Sequence, residues 1–354
     1  MALVAVASVD NDKTKTLQVV ILTPFRGPGN LPAIYCTPEE PGKIRGYVEF
    51  ITTEDIKGKD LDLNFRVKSF ARWARHYGES TVVYRSKEIL QKNFHQFPIK
   101  HERPGVISPG TIRFDFEEVL NPNTPSSIRG NRNWLTYRFA ATLHRGFLQR
   151  NMVFKQDVWV FSTCVPSPRA GYLPPPHVFA GVWESHLPFT CSIPNESVQL
   201  GETVPLTIQF KPFIHSSGLF GQELVVVNAI VKMKQYTRLW HKWNVKTEKK
   251  VVVDMPVNYG WVPAKDGMQR TIMVNIPFAP RLSCTTVTRP VRKTHCLKLI
   301  MRIKAASMSD KQAKELRIEM PVNVTGPRPP TDHPPAEELP PYSAVWQGED
   351  GDSD

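Results

Sequence analysis

The sequence predicts an all-β protein, two consecutive β-sandwiches followed by a disordered C-terminal tail. Three observations carry this prediction. Apolar and polar residues alternate with a period of two through most of the chain, as in half-buried strands. Proline is abundant, 32 of 354 residues, which disfavours long helices. Clusters of turn-forming residues separate the alternating runs at short intervals.

The elements follow in order. In DLDLNFRVK, Leu61, Leu63, Phe65 and Val67 fall on one face, and Asp60, Asp62, Asn64, Arg66 and Lys68 on the other. WLTYRFAATLHR repeats the pattern with Leu135, Tyr137, Phe139, Ala141 and Leu143. TVPLTIQF continues it with Val204, Leu206, Ile208 and Phe210, and CLKLIMRI and LRIEMPVNV extend it to residue 324. PGK at 41, SPG at 108, NPNTPSS at 121 and LGE at 200 mark turns. SKEILQKNF (86–94) and SDKQAKEL (309–316) read as two short candidate helices. PSPRAGYLPPP (166–176) is a proline-rich seam, stiff and extended, between two strand-rich halves. The sequence therefore divides into a first sandwich at 15–165, a linker at 166–181, a second sandwich at 182–326 and a tail at 327–354. The tail is proline and acid with few aliphatic residues, a composition that predicts disorder.

Composition narrows the function classes. The start, MALVAVASVD, lacks a basic region before its apolar run, and the run LVVVNAIV (224–231) is too short to cross a bilayer. The expectation is a soluble, cytoplasmic protein. Five scattered cysteines, with no Cys-x-x-Cys pair, read as reduced core thiols. No Gly-x-Ser-x-Gly, phosphate-binding loop or His-Glu-x-x-His is present. The histidines do not cluster at metal-ligand spacing. No enzyme, cofactor or metal is expected.

Charge is unevenly placed. The formal net charge is +12, yet residues 325–354 hold one arginine and seven acidic residues, a net of −6, so residues 1–324 carry +18. A basic body with an acidic tail suggests an anionic partner. Two basic stretches are candidates. KMKQYTRLWHKWNVKTEKK (232–250) holds Lys232, Lys234, Arg238 and Lys242 interleaved with Tyr236, Trp240 and Trp243. It reads either as contact with anionic headgroups or as a long strand and hairpin with lysines in water. RVKSFARWARH (66–76) holds Arg66, Lys68, Arg72 and Arg75. It reads either as a site for acidic or phosphorylated peptides or as a strand edge protected by charge.

A resemblance then covers most of residues 15–326. IYCTPEEPGKIRGYVEFITTEDIKGKDLDLNF (34–65) and SPGTIRFDFEEVLNPNTPSSIRGNRNWLTYRFAATL (108–143) resemble an arrestin N-domain. SVQLGETVPLTIQFKP (197–212) and NIPFAPRLSCTTVTRPVRKTHCLKLIMRIKA, with the following IEMPVNVTGP, resemble the opening and close of an arrestin C-domain. The order of these loose motifs is similar to that of the arrestin-related trafficking adaptors. The resemblance implies two immunoglobulin-like sandwiches of arrestin type. It also gives the tail a meaning. Leu339, Pro340, Pro341 and Tyr342 fit the pattern [Leu/Pro]-Pro-x-Tyr bound by WW domains. Consecutive prolines hold polyproline II before binding, so little entropy is lost on docking. One such contact supplies about −5 to −7 kcal/mol, so useful affinity needs avidity. Those adaptors often carry several such motifs, and this chain has one.

The resemblance implies an adaptor between a HECT-type ubiquitin ligase with WW domains and the cytosolic tails of membrane transporters or receptors. It would be recruited peripherally to the plasma membrane or endosomes, promoting cargo ubiquitination and endocytosis. The alternative is an arrestin-fold sorting scaffold acting without a ligase, in which Tyr342 is irrelevant. A nucleic-acid binder would be suggested by the basic body alone, and no recognition motif supports it.

Overall fold

The computed structural model describes residues 14–327, apart from 38–40, 78–79, 100–102, 122–123, 147–148, 163–174, 259, 265–266 and 280. The tail motif Leu339–Tyr342 and its expected disorder lie outside the described residues, as do Cys164 and most of the proline-rich seam.

The first unit contains β1 (Lys15–Ile21), β2 (Ala33–Cys36), β3 (Lys43–Thr52), β4 (Ile56–Lys57), β5 (Asp60–Tyr77), β6 (Ser80–Pro98), β7 (Val106–Ile107), β8 (Gly110–Val119), β9 (Ile128–Arg129), β10 (Asn133–Leu143) and β11 (Met152–Ser162). The second contains β12 (His177–Trp183), β13 (Leu187–Ile193), β14 (Ser197–Gln199), β15 (Thr203–Phe210), β16 (Leu224–His241), β17 (Asn244–Pro256), β18 (Val262–Ala264), β19 (Gly267–Asn275), β20 (Thr286–Val287), β21 (Val291–Ala305) and β22 (Lys314–Thr325). β12 begins at His177, inside the segment that the sequence assigns to the linker.

In the first unit a sheet ordered β1-β3-β8 faces a larger one ordered β2-β11-β10-β5-β6. Their inward positions are the alternating apolar residues the sequence marks. Leu61, Leu63, Phe65, Tyr137 and Phe139 are fully buried with Val19, Val48 and Phe50 from the opposite sheet. Tyr137 keeps its buried hydroxyl satisfied by donating to the Pro125 carbonyl. In the second unit β12-β13-β15-β19-β18 faces β14-β22-β21-β16-β17. Leu206, Ile208, Met233, Leu299, Met301 and Ile318 fill the space between. The described cysteines, Cys36, Cys191, Cys284 and Cys296, are buried and in no disulfide among the described residues. Burial pushes the Cys36 thiol up to about 11 and Cys191 up to about 12, which keeps them protonated and inert.

Each unit lends side chains to the core of the other. Leu239 and Val291 of the second are buried in the core of the first. Ala33, Trp159 and Phe161 of the first are buried in the core of the second. The Gly326 N–H donates to the Ser162 carbonyl at 3.2 Å across the seam. A cavity of about 10 Å³ lined in part by Ser127, Trp159, Leu200 and Cys284 lies there, too small for an organic ligand.

Neither candidate helix forms. Residues 86–94 lie within β6, where register pairing with β5 from Asp60↔Pro98 to Tyr77↔Ser80 imposes the extended backbone. Helix-forming lysines, glutamate and leucine do not resist this, because tertiary pairing outweighs propensity differences of tenths of a kcal/mol. At 309–316 a 3-10 turn spans only Asp310–Gln312, with a Ser309/Gln312 capping box, and β22 begins at Lys314. The capping chemistry is present, but the following residues are claimed by the β21 ladder.

Gly267 shows how tightly one hairpin is set. Its φ is +128°, and a β-carbon there would lie 1.9 Å from the Phe210 carbonyl oxygen on the neighbouring strand. Gly267→Ala is expected to destabilise the second sandwich by more than ~1 kcal/mol, read as an earlier midpoint in denaturant. An unchanged midpoint would show that β15 and β19 can separate there at no cost.

Candidate functional site

The large sheet of the first sandwich turns its outer face to solvent, and that face is basic. β5 alternates, so Arg66, Lys68 and Arg72 point outward while Phe65, Val67 and Trp73 point inward. Cross-strand partners add to the charge. Arg66 stands opposite Arg138 on β10 and Lys92 on β6, and Arg72 stands opposite Arg85. Arg138 donates to Asp157, with Nη2–Oδ2 at 3.0 Å, so one of these cations is neutralised. Lys68 is held below the usual lysine range by burial first, and then by the charges of Lys87, Arg66, Arg138 and Lys155. Like charges gathered on one rigid face favour a polyanion that neutralises several at once. Apolar residues lie among them. Phe70 and Trp134 stack with centroids 5.1 Å apart, and Ile89 and Phe94 are exposed.

The sequence grouped Arg75 with this face, and the structure separates it. Arg75 has the inward parity of Trp73 and Tyr77 and lies beyond the core. There its guanidinium packs over the Tyr77 ring, 5.5 Å from the centroid.

The second basic stretch is β16, a turn and β17, a long strand and hairpin. The four lysines and arginines singled out there are not equivalent. Lys232 is committed to Asp254 at 3.0 Å. Lys234 is buried, 7% exposed, and burial first, then Lys249 and Lys298, hold its pKa down. Neither is a free surface contact. Arg238 and Lys242 are exposed near the hairpin tip, with Arg238 5.9 Å from the Trp240 ring centroid. Tyr236 and Trp240 are half-buried, whereas Trp243 is 96% exposed.

Sequence reasoning missed a third cluster. Lys293 and His295 point into the second sandwich, where Lys293 Nζ donates to Ser283 Oγ at 3.0 Å. Burial first, then the Lys250 charge, pushes the Lys293 ammonium down to about 8. Burial first, then the Lys293 charge, pushes the His295 imidazole down to about 3. The signal was available. Lys293 and His295 share the parity of Val291, Leu297, Leu299 and Met301, all core residues. Among the described residues no group of three or more His, Cys, Asp or Glu side chains is placed to hold a metal ion.

The described residues thus form two sandwiches that share core residues, with a cationic outer face on the large sheet of the first. Residues 183–329 match the family described as arrestin (or S-antigen), C-terminal domain. The matched residues coincide with the second sandwich, and the two-sandwich fold expected from sequence is the one observed. Over an alignment of 388 residues the chain is 21% identical to a protein of Schizosaccharomyces pombe described as an arrestin-related trafficking adapter. The alignment covers 94% of this chain and 57% of that relative. The chain spans little more than half the length of the curated relative it matches.

Proposed function

We propose that the chain is a trafficking adaptor that recruits a WW-domain HECT ubiquitin ligase to membrane cargo, promoting cargo ubiquitination and endocytosis. The observation that carries this reading is the sequence Leu339-Pro340-Pro341-Tyr342 placed after residues that match the arrestin C-terminal domain family. The mechanism is scaffolding. A ligase held by the tail and a cargo held by the folded body raise each other's local concentration, so no active site is required. The basic sheet face around Arg66, Lys68 and Arg72 is the surface assigned to acidic or phosphorylated cytosolic tails of cargo. No helix among the described residues is long and apolar enough to cross a membrane. The reading places the protein in the cytoplasm, recruited peripherally to the plasma membrane or endosomes.

The test titrates the full-length chain and its Tyr342→Ala variant against isolated WW domains from HECT ligases. Saturable binding at micromolar to hundreds of micromolar strength, lost in the variant, is the expected result. Equal binding by both chains, or none, would remove the ligase and leave a sorting scaffold.

A further inference from the structure

Trp243 occupies the tip of the β16–β17 hairpin and is 96% exposed, far more than the next exposed large apolar side chain, Val287 at 69%. An indole left in water forgoes the largest apolar burial any side chain offers. Isolated exposed apolar residues are common, but a tryptophan at a rigid projecting tip is not placed there by packing. The turn is tight. Lys242 and Trp243 alone connect the strands, Lys242 takes φ +52°, and the ladder continues unbroken from His241↔Asn244 to Lys234↔Val251. The indole is thus carried on a stiff two-stranded stem.

The hairpin does not stand alone. His241, two residues before Trp243, packs against the β5–β6 hairpin, with centroids 5.9 Å from Tyr84 and 6.4 Å from Trp73. The Tyr84 hydroxyl lies 3.4 Å from that of Tyr77, which is 51% exposed. Val82 and Val83 of the same hairpin are 41% and 45% exposed. Aromatic and aliphatic side chains from both hairpins therefore crown one edge of the molecule where the two sandwiches meet.

Cations surround that crown. Lys242, Arg238, Arg72 and Arg75 are exposed on the two hairpins. The acidic group nearest to Trp243 in sequence, Glu248, is engaged by Arg132 at 3.6 Å and Lys246 at 3.3 Å, and Glu79 of the other hairpin lies outside the described residues. A projecting tip cannot enclose a peptide as a groove does, but it can enter a plane. Amphipathic aromatics ringed by lysine and arginine are the composition that settles at a bilayer's headgroup layer, apolar body inward and charge on the anionic surface.

We propose that the β16–β17 hairpin tip, with the flanking strands of the β5–β6 hairpin, forms a docking edge for an anionic phospholipid bilayer, with Trp243 entering the headgroup layer and Lys242, Arg238 and Arg75 contacting lipid phosphates. The inference is independent of the ligase reading, since it rests on the folded body and not on Tyr342.

The test uses the full-length chain with phosphatidylcholine vesicles, with and without phosphatidylserine. Binding is expected to require phosphatidylserine and to weaken with added salt. Trp243→Ala should weaken it about tenfold or more, and Lys242→Glu several-fold. Brominated lipid should quench tryptophan fluorescence in the parent chain and less in Trp243→Ala. Trp243 makes no core contact, so the variant's unfolding midpoint should match the parent and exclude a folding defect. Tyr342→Ala should bind vesicles normally, and Trp243→Ala should bind WW domains normally, so either proposal can fail without the other. Equal vesicle binding by parent and Trp243→Ala, or equal binding to vesicles lacking phosphatidylserine, would overturn the inference. So would Trp243-dependent capture of a soluble acidic peptide without vesicle binding, which would make the tip a protein contact.

Discussion

Phe139→Ala is expected to cost the first sandwich about 3–5 kcal/mol, the range for removing a buried phenylalanine ring. Phe139 is fully buried on β10. It stands directly opposite Phe65 on β5, with ring centroids 4.6 Å apart, and meets Phe116 of the facing sheet at 4.9 Å. The ring therefore ties a cross-strand pair to the opposite layer. Neighbours anchored in two ladders collapse poorly into the vacated space, which puts the cost toward the upper end of the range. Denaturant titration should be fitted with two transitions, because two units need not unfold together. The first should move to lower denaturant. A shift below ~1 kcal/mol would mean that the facing sheet closes over the gap and that the layers are less firmly held than their pairing indicates. Movement of the second transition by a similar amount would show that Leu239 and Val291, buried in this core, couple the units.

Much of this architecture was legible in the sequence because strand parity is a local property. DLDLNFRVK and WLTYRFAATL show their buried faces directly, and they pair residue for residue as β5 and β10. What was not legible depended on partners remote in sequence. SKEILQKNF has the composition of a helix, and only pairing with β5 makes it a strand. The basic clusters divide the same way. Reading RVKSFARWARH as one patch joined Arg75 to Arg66, Lys68 and Arg72, although alternation alone separates it from them. Nothing local distinguishes Lys234, which neighbouring strands cover, from Arg238 and Lys242, which they leave free. Exposure of Trp243 was likewise hidden, since a tryptophan in a strand-rich stretch is usually core and only the position of the turn puts it outside.

His295 supplies the second large effect, a loss of stability in mild acid that belongs to one side chain. Its Nδ1 lies 3.0 Å from the Thr285 hydroxyl, which itself accepts the Val324 N–H at 2.8 Å. The hydroxyl can thus donate to Nδ1 while accepting from the backbone, and Nε2 faces Gln235 Oε1 at 3.4 Å. This arrangement suits neutral imidazole. A second ring proton would place a charge in a buried site with Lys293 on the same strand, and a hydrogen bond to the Ser283 backbone offsets only part of that cost. The folded imidazole accordingly titrates at about 3, against an unfolded value of 6.5. Between those values the unfolded chain holds a proton that the folded chain does not, so stability falls as pH drops from 6.5 towards 3. The slope contributed is about 1.4 kcal/mol per pH unit, up to about 5 kcal/mol in all. Lys293 acts in a different window with the same sign. Its folded value of about 8 lies below the ordinary 10.5, so its stabilising contribution rises as pH climbs from 8 to 10.5. It faces Lys250 and Glu248 across the sheet, and their opposite charges partly offset each other. Chemical denaturation of the parent and His295→Gln at a series of pH values from 7 to about 4 isolates the effect, because carboxylates common to both cancel in the difference. The variant's second transition should depend less steeply on pH, whatever its absolute stability. Identical slopes would mean that His295 is hydrated in the folded chain, and that the polar cluster at this end of the second sandwich is open to water rather than sealed against the first.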